Sequence, residues 1–216
     1  MKDRYRIIGP LFDLATMIYS AGQIGRCRVA MHNHIKPDDK VLFAGVGQGA
    51  DAVAAAERGA QVVVVDISKT MLNILSQRMS GRQYLYPIRQ VHTDIFKFEE
   101  YNSFDIVFVN FFLNTFSRVV VLPLLEHLTR LAKTNGYVVI SDFAPSSGRP
   151  IARVIQNTYW YIADTILSIL ANNALHPLYD YEEMLKGVGF TVEEVKYCPL
   201  LFDNRYYSIL AKRHQC

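Results

Sequence analysis

The chain is poor in cysteine, in long apolar runs and in charge of one sign, and each shortage removes a class of protein. It has three cysteines in 216 residues: Cys27, Cys198 and Cys216. They lie far apart, match no metal-ligand spacing and offer no pairing logic. A disulfide scaffold and a zinc module are therefore excluded, no metal is expected, and a reducing, cytoplasmic setting is. No uninterrupted apolar run reaches the ~18 residues a membrane span needs, and the nearest approach, 162–171, contains Asp164. The first six residues are charged and the apolar stretch behind them is broken by Asp13, so no signal peptide is expected. The 23 basic and 20 acidic side chains almost cancel, to a net +3, and are scattered. Without a basic arm or stripe, no nucleic-acid partner is expected.

What is present is an ordinary globular composition, 50% hydrophobic and 20% charged, in a chain long enough for one domain with a lid. Residues 1–35 keep a rough helical period, broken near Gly22 and Gly25, and read as an N-terminal helical cap. Pro37-Asp38-Asp39 is a turn before a strand at 40–44. A helix from about Gly49 ends at Gly59, and Val62 to Val65 is a continuous β-branched run suited to a strand buried on both faces. Ser68 can cap a helix that Ser80-Gly81 stops. Further strands are predicted at 88–92, 104–108 and 137–141, with a helix at about 119–132. Strands alternating with helices imply right-handed βαβ units and a mostly parallel sheet. After Asp142 the pattern changes. A helix at 151–171 carries more than one apolar aspect, with Trp160 and Tyr161 off its main stripe, and 143–182 reads as a helical insertion. A short helix at 181–186 and two strands at 191–197 and 205–211 follow, most simply as antiparallel neighbours.

The densest information lies in Val41-Leu42-Phe43-Ala44-Gly45-Val46-Gly47-Gln48-Gly49 and the second apolar run that ends at Asp66. Strand, glycine turn, helix, strand and acid make a nucleotide cradle. The glycines admit a ligand close to the backbone, the helix start offers N–H groups, and the acid can accept from ribose hydroxyls.

These residues resemble the first two motifs of the class I S-adenosylmethionine-dependent methyltransferases. The resemblance continues through Val65-Asp66-Ile67-Ser68-Lys69-Thr70-Met71-Leu72, Thr93-Asp94-Ile95, Phe104 to Phe112, and Lys133 to Ile140. It covers residues ~36–212, within the few residues by which such boundaries float. It is similar to the small-molecule and lipid type of ubiquinone and menaquinone biosynthesis. The resemblance implies a Rossmann-like, seven-stranded, mostly parallel sheet with helices on both faces and a C-terminal antiparallel pair. The single domain then divides into the cap, a cofactor-binding half (36–142), the substrate insertion and the C-terminal strands (183–216). One position departs from the family: an acid often found in the first strand is Phe43 here. Asp51, in the first helical turn, either substitutes for it or simply stabilises the helix N-terminus.

What the resemblance implies chemically is methyl transfer to a small, fairly apolar acceptor by in-line displacement, in which orientation supplies most of the catalysis. S-adenosylmethionine is the implied cofactor, and its implied contacts are Tyr19, Gly45, Gly47, Gly49, Asp66, Ile67, Met71, Asp94, Ile95, Asn110 and Phe111. Aromatic rings can face a sulfonium through cation–π contacts. Phe112, Asn114, Trp160, His176 and Tyr179 are expected on the acceptor side, with His176 the candidate general base if the acceptor needs one. His32, His34, His127 and His214 are expected on exposed faces. Two alternatives stand beside this reading. Gly45 to Ala50 with Asp66 also fits a nicotinamide-dependent oxidoreductase, although no Tyr-x-x-x-Lys pair follows the fifth strand. A non-catalytic cofactor-binding scaffold, or a homodimer, would use the two-aspect helix at 151–171.

Overall fold

The computed structural model describes Met17, residues 20–47 and 49–145, Thr158, and residues 178–200 and 203–213. The predicted helix at 151–171 therefore lies outside the described residues, apart from Thr158. Five parallel strands build the first part of a single sheet: β1 (Lys40–Ala44), β2 (Gln61–Asp66), β3 (Arg89–His92), β4 (Phe104–Asn110) and β5 (Ala132–Phe143). β6 (Phe190–Leu200) and β7 (Asp203–Arg213) complete it in the order β3-β2-β1-β4-β5-β7-β6. β7 lies between β5 and β6, antiparallel to both. The expected fold class is the one observed.

The helices are α1 (Gln23–Val29), α2 (Ala50–Glu57), α3 (Lys69–Met79), α4 (Arg118–Leu131) and α5 (Tyr181–Gly187). The two-residue period of a strand decides which face each valine of β2 serves. Val62 and Val64 pack with Ala52, Ala56, Leu72 and Leu75 of α2 and α3. Val63 and Val65 pack with Leu124, Leu128 and Leu185 of α4 and α5. All four are buried, so the run is apolar throughout rather than alternating. Small side chains at Ala52, Ala55 and Ala56 let α2 approach the sheet closely. α3 starts where Ser68 was expected to cap it, the Ser68 hydroxyl accepting from Met71 N at 3.2 Å.

Four findings differ from the sequence reading. β5 begins at Ala132 instead of Tyr137: Ala132 pairs with Phe104, and the chain then bulges before Tyr137 pairs with Ile106. A left-handed Asn135 (φ 63°) makes the bulge possible. Gly136 is required beside it, because a Cβ there would stand 2.9 Å from the Lys133 carbonyl oxygen. Asp105 pins this corner, accepting from Lys40 N at 2.9 Å and from Lys133 Nζ at 2.8 Å. His32 and His127 are buried, not exposed. His127 Nε2 bonds the Ile95 carbonyl at 2.8 Å, tying α4 to the turn after β3. Cys27 and Cys198, 171 positions apart, meet across α1 and β6 in one small buried cluster with Ile24 and Tyr206.

Asp142, at the end of β5, is the most consequential buried charge. Its carboxylate accepts from Phe143 N (2.8 Å), Tyr181 Oη (2.9 Å) and Asn114 N (3.3 Å), joining β5, α5 and the β4–α4 connection. Burial pushes its pKa from 3.8 up to about 7, against the lowering effect of those donors. His32 is the counterweight: burial holds it down to about 4, against the raising influence of Asp51. A carboxyl with a raised folded pKa gives stability that is complete below about pH 4 and is lost as pH rises to about 7. A histidine with a depressed folded pKa gives stability that is present above its ordinary 6.5 and is lost as pH falls toward 4. The two slopes oppose each other over the same window. Asp142→Asn removes one of them, so the variant should gain stability on the wild type between pH 4 and pH 7, by up to about 4 kcal/mol. Urea unfolding midpoints at each pH measure this, and a difference independent of pH would refute the assignment.

Candidate active site

The glycine turn leaves β1 at the carboxyl edge of the sheet, where the strand order reverses between β2-β1 and β4. Ligands bind open α/β sheets at such a switch point. Gly45, Gly47 and Gly49 all have left-handed backbone, with φ of 74°, 52° and 75°. Two of them also lack room for a side chain. A Cβ on Gly45 would stand 2.5 Å from the Phe112 ring, and one on Gly49 would stand 2.5 Å from Leu75. The turn is thus pressed between the β4–α4 connection and α3.

Asp66 organises the turn from β2. Its Oδ2 accepts from Val46 N at 2.8 Å and its Oδ1 accepts from Ser68 N at 2.7 Å. Gly45 N donates to the Val65 carbonyl at 2.9 Å, so the turn is stitched to the end of β2 by main chain and side chain alike. The carboxylate is half-buried.

On the other side of the turn, the end of β4 carries a polar knot. Asn110 Nδ2 donates to Asp51 Oδ2 at 2.8 Å and to the Arg28 carbonyl at 3.3 Å. Asp51 is therefore more than a helix-end charge: it is buried and fastens α2 to β4 and, through Asn110, to α1. Phe43, where the family often has an acid, instead stacks on Phe108 with ring centroids 4.9 Å apart, and the buried His32 ring stands edge-on to both. Phe111 follows with φ at 50°, a costly backbone for a bulky side chain, of the kind that clusters at functional sites. Its N–H donates to the Ser141 carbonyl at 2.7 Å, and its ring meets Phe143 and Tyr206 edge to face. The Arg28 guanidinium stands 5.7 Å from its centroid. Arg28 was not among the expected site residues, and Asp51 was expected either to substitute for the missing first-strand acid or to stabilise the helix N-terminus. The Asp51 position carried a weak signal, two residues past the last glycine; Arg28 carried none.

The remaining expected residues divide. Asp94 is half-buried and caps the turn at Ile95–Lys97, its Oδ1 accepting from Phe96 N at 3.1 Å. Ile67 is exposed on the rim after β2, with Phe96 exposed after β3. Met71 and Ile95 are buried, one in each of the two main core clusters. Tyr179 is likewise a core residue, with its hydroxyl donating to the Phe116 carbonyl at 3.0 Å. Phe112 is committed to Gly45 and, edge to face, to Phe116. Asn114 meets Asp142 through its main-chain N–H at 3.3 Å. Tyr19, Trp160 and His176 lie outside the described residues.

The geometry fits S-adenosylmethionine on one local test. The space a Cβ at Gly47 would fill lies between the turn and the Arg28 guanidinium, 3.7 Å away, which leaves a cradle floored by backbone. Asp66 holds the turn from β2, and Asn110 ends β4 on its other side.

Comparison with known proteins agrees. A family model described as a methyltransferase domain matches residues 42–140. Demethylmenaquinone methyltransferase of Clavibacter sepedonicus is 28% identical over 172 residues, covering 77% of this chain and 67% of that protein. Its counterpart from Paenarthrobacter aurescens is 30% identical over 156 residues, covering 70% of this chain and 56% of that protein. The chain thus spans between about half and two thirds of the length of these curated relatives. The crystal structure of Burkholderia thailandensis 1,6-didemethyltoxoflavin-N1-methyltransferase, with bound 1,6-didemethyltoxoflavin and S-adenosylhomocysteine, shares the fold. Its TM-score is 0.65 at 18% identity, over 100% of this chain and 92% of that one. The nicotinamide-dependent and non-catalytic alternatives are accordingly set aside. With the glycine turn, the Asp66 clamp and the β5-β7-β6 edge in place, the chain carries a match to a methyltransferase domain over residues 42–140 and is similar to S-adenosylmethionine-dependent methyltransferases over most of its length.

Proposed function

We propose that the protein transfers a methyl group from S-adenosylmethionine to a small, fairly apolar acceptor. The observation that carries this reading is the glycine turn held by Asp66 at the switch point of the sheet. When bound, S-adenosylmethionine supplies an electrophilic methyl group with its own sulfur leaving group. The chain's residues then have three tasks. Asp66 and the turn amides fix the nucleoside end, Asn110 and its neighbours fix the opposite end, and the Phe111 backbone shapes the passage between cofactor and acceptor. Holding two reactants in line contributes through effective molarity, which reaches about 10⁵ M or more for well-oriented pairs.

The acceptor class is supported by the names of similar proteins, which act on demethylmenaquinone and on a didemethylated toxoflavin. Aromatic rings at Phe111 and Phe143 suit a planar, apolar guest. On this reading the enzyme works in the cytoplasm without a nucleic-acid partner, and the segment 143–182 completes the acceptor pocket. Trp160 and His176 are its proposed acceptor contacts, with His176 the base for a hydroxyl acceptor, and Tyr19 is the proposed cofactor contact from the N-terminal cap.

Calorimetry with S-adenosylmethionine and S-adenosylhomocysteine tests the reading directly; binding of neither at high micromolar concentration would sink it. Asp66→Ala should weaken S-adenosylhomocysteine binding by about 10- to 100-fold, since hydrogen bonds to a charged group are each worth about 1.5–3 kcal/mol. A variant with full affinity contradicts the role given to Asp66. Gly45→Ala should lose binding more severely while the far-ultraviolet circular dichroism is kept, because the new methyl group meets both the Phe112 ring and a left-handed backbone. Retained affinity there would show that the turn does not form the floor of the site.

A further inference from the structure

Two thiols meet at the β7-β6 end of the sheet, and methyl transfer as proposed above uses neither. Cys27 of α1 and Cys198 of β6 are both buried and free, and they share one small cluster with Ile24 and Tyr206. A separate contact fixes how α1 lies on the strand. The Lys196 ammonium donates to the Ala30 carbonyl at 3.0 Å, at the end of α1. Lys196 and Cys198 are two residues apart in an unbroken stretch of the β6–β7 pairing, so their side chains leave the same face. Cys27 and Ala30 are three residues apart, so they stand one above the other on one side of the helix. α1 therefore runs antiparallel to β6, with Cys27 opposite Cys198.

The two sulfurs are chemically unequal. The Cys27 side chain holds the Cys198 thiol below its ordinary range, and Arg26 adds to this against the effect of burial. The Cys198 side chain, and then burial, push the Cys27 thiol up. Cys198, 8% exposed, is thus the sulfur that ionises first and that a small oxidant reaches. Cys27 is fully buried behind it and is placed to resolve an oxidised Cys198.

We infer that Cys27 and Cys198 are an oxidative modification site, forming a reversible disulfide with a peroxide that ties α1 to β6 and weakens donor binding. The Cys198 thiolate attacks one peroxide oxygen, giving a sulfenic acid and releasing hydroxide. The Cys27 sulfur then attacks that sulfur and loses its proton, and the sulfenic oxygen leaves as water. Two thiols give up two electrons and two protons, and one peroxide becomes two waters. In a reducing setting such a bond is transient and serves sensing rather than structure. Bonded sulfurs stand well inside the contact distance of two thiols, so α1 must move toward β6. Its main chain is bound into the support of the site. The Cys27 carbonyl accepts from Ser141 Oγ at 3.2 Å, and the Arg28 carbonyl accepts from Asn110 Nδ2 at 3.3 Å. Displacing either carbonyl loosens the ends of β4 and β5. The effect on affinity rests on the donor reading above; the disulfide itself does not.

The test uses the full chain carrying Cys216→Ser, which removes the remaining cysteine. After brief treatment with hydrogen peroxide, peptide mapping should find the fragments holding Cys27 and Cys198 joined with the loss of two hydrogens, and dithiothreitol should separate them. Adding Cys27→Ser should stop the reaction at a sulfenic acid on Cys198 that dimedone traps in the native protein. Adding Cys198→Ser should leave Cys27 unlabelled. Calorimetry should show the oxidised chain binding S-adenosylhomocysteine about 3- to 10-fold more weakly than the reduced one, as the loss of one ordinary hydrogen bond implies. Peroxide should change nothing in the Cys198→Ser variant. Two thiols left unreacted, a bond formed only between chains, or oxygen added to each sulfur without a link overturns the pairing. The peptide map needs neither added variant and so decides even if one of them fails to fold. A link with unchanged S-adenosylhomocysteine affinity overturns the effect on the donor. Binding by neither form ends the donor reading, while the map still decides the disulfide.

Discussion

One carboxylate receiving two amides holds the site together. Asp66 lies at the end of a strand whose four preceding residues are buried valines, so its position is set by the core. From there it accepts from Val46 in the glycine turn and from Ser68 at the start of α3. Three left-handed glycines in five residues would otherwise be a conformationally costly loop. Charge-assisted hydrogen bonds offset that cost, and the closeness of Phe112 and Leu75 leaves no room for a side chain at Gly45 or Gly49. The acid expected to bind the cofactor is thus also the residue that fixes the glycine turn.

The same economy holds on the β4 side. Asn110 links α1, α2 and the sheet with one amide nitrogen, which donates to the Arg28 carbonyl and to Asp51. Phe111 adopts a left-handed backbone beside it, held by the Ser141 carbonyl and the rings of Phe143 and Tyr206. Strain of order 1–3 kcal/mol persists only where surrounding contacts over-determine it, and here those contacts come from β5 and β7. The antiparallel edge is therefore part of the site's support, though it lies three strands from the glycine turn. Behind it, Asp142 fastens α5 and the β4–α4 connection to β5, so the buried charge that most affects pH response also braces the acceptor side.

Periodicity and glycine placement made most of the parallel sheet legible. A β-branched run such as Val62 to Val65 has few alternatives to a strand buried on both faces, and a glycine turn between it and β1 has few alternatives to a phosphate- or nucleoside-type cradle. These are local constraints, written in residues adjacent in the chain. The bulge that starts β5 at Ala132 escaped notice because it depends on Asp105 from β4 capturing Lys133. The histidines at 32 and 127 were misplaced because their spacing looks like a solvent face until Phe43, Phe108 and Ile95 close over them. Tyr179, Phe112 and Asn114 were expected to meet a substrate, and the structure gives each to the Phe116 carbonyl, Gly45 or Asp142.

By itself, the sequence determined the architecture, the glycine turn and the acid after β2, because each follows from steric and hydrogen-bonding rules that act within a few residues. Only the tertiary structure decided how the β4 side of the cleft is built. Arg28, Asp51 and Asn110 are separated by 23 and 59 positions along the chain, and no local pattern links them. They meet because packing α1 and α2 against the same sheet brings a carbonyl, a carboxylate and an amide within hydrogen-bonding distance, a geometry that exists only once the core has closed.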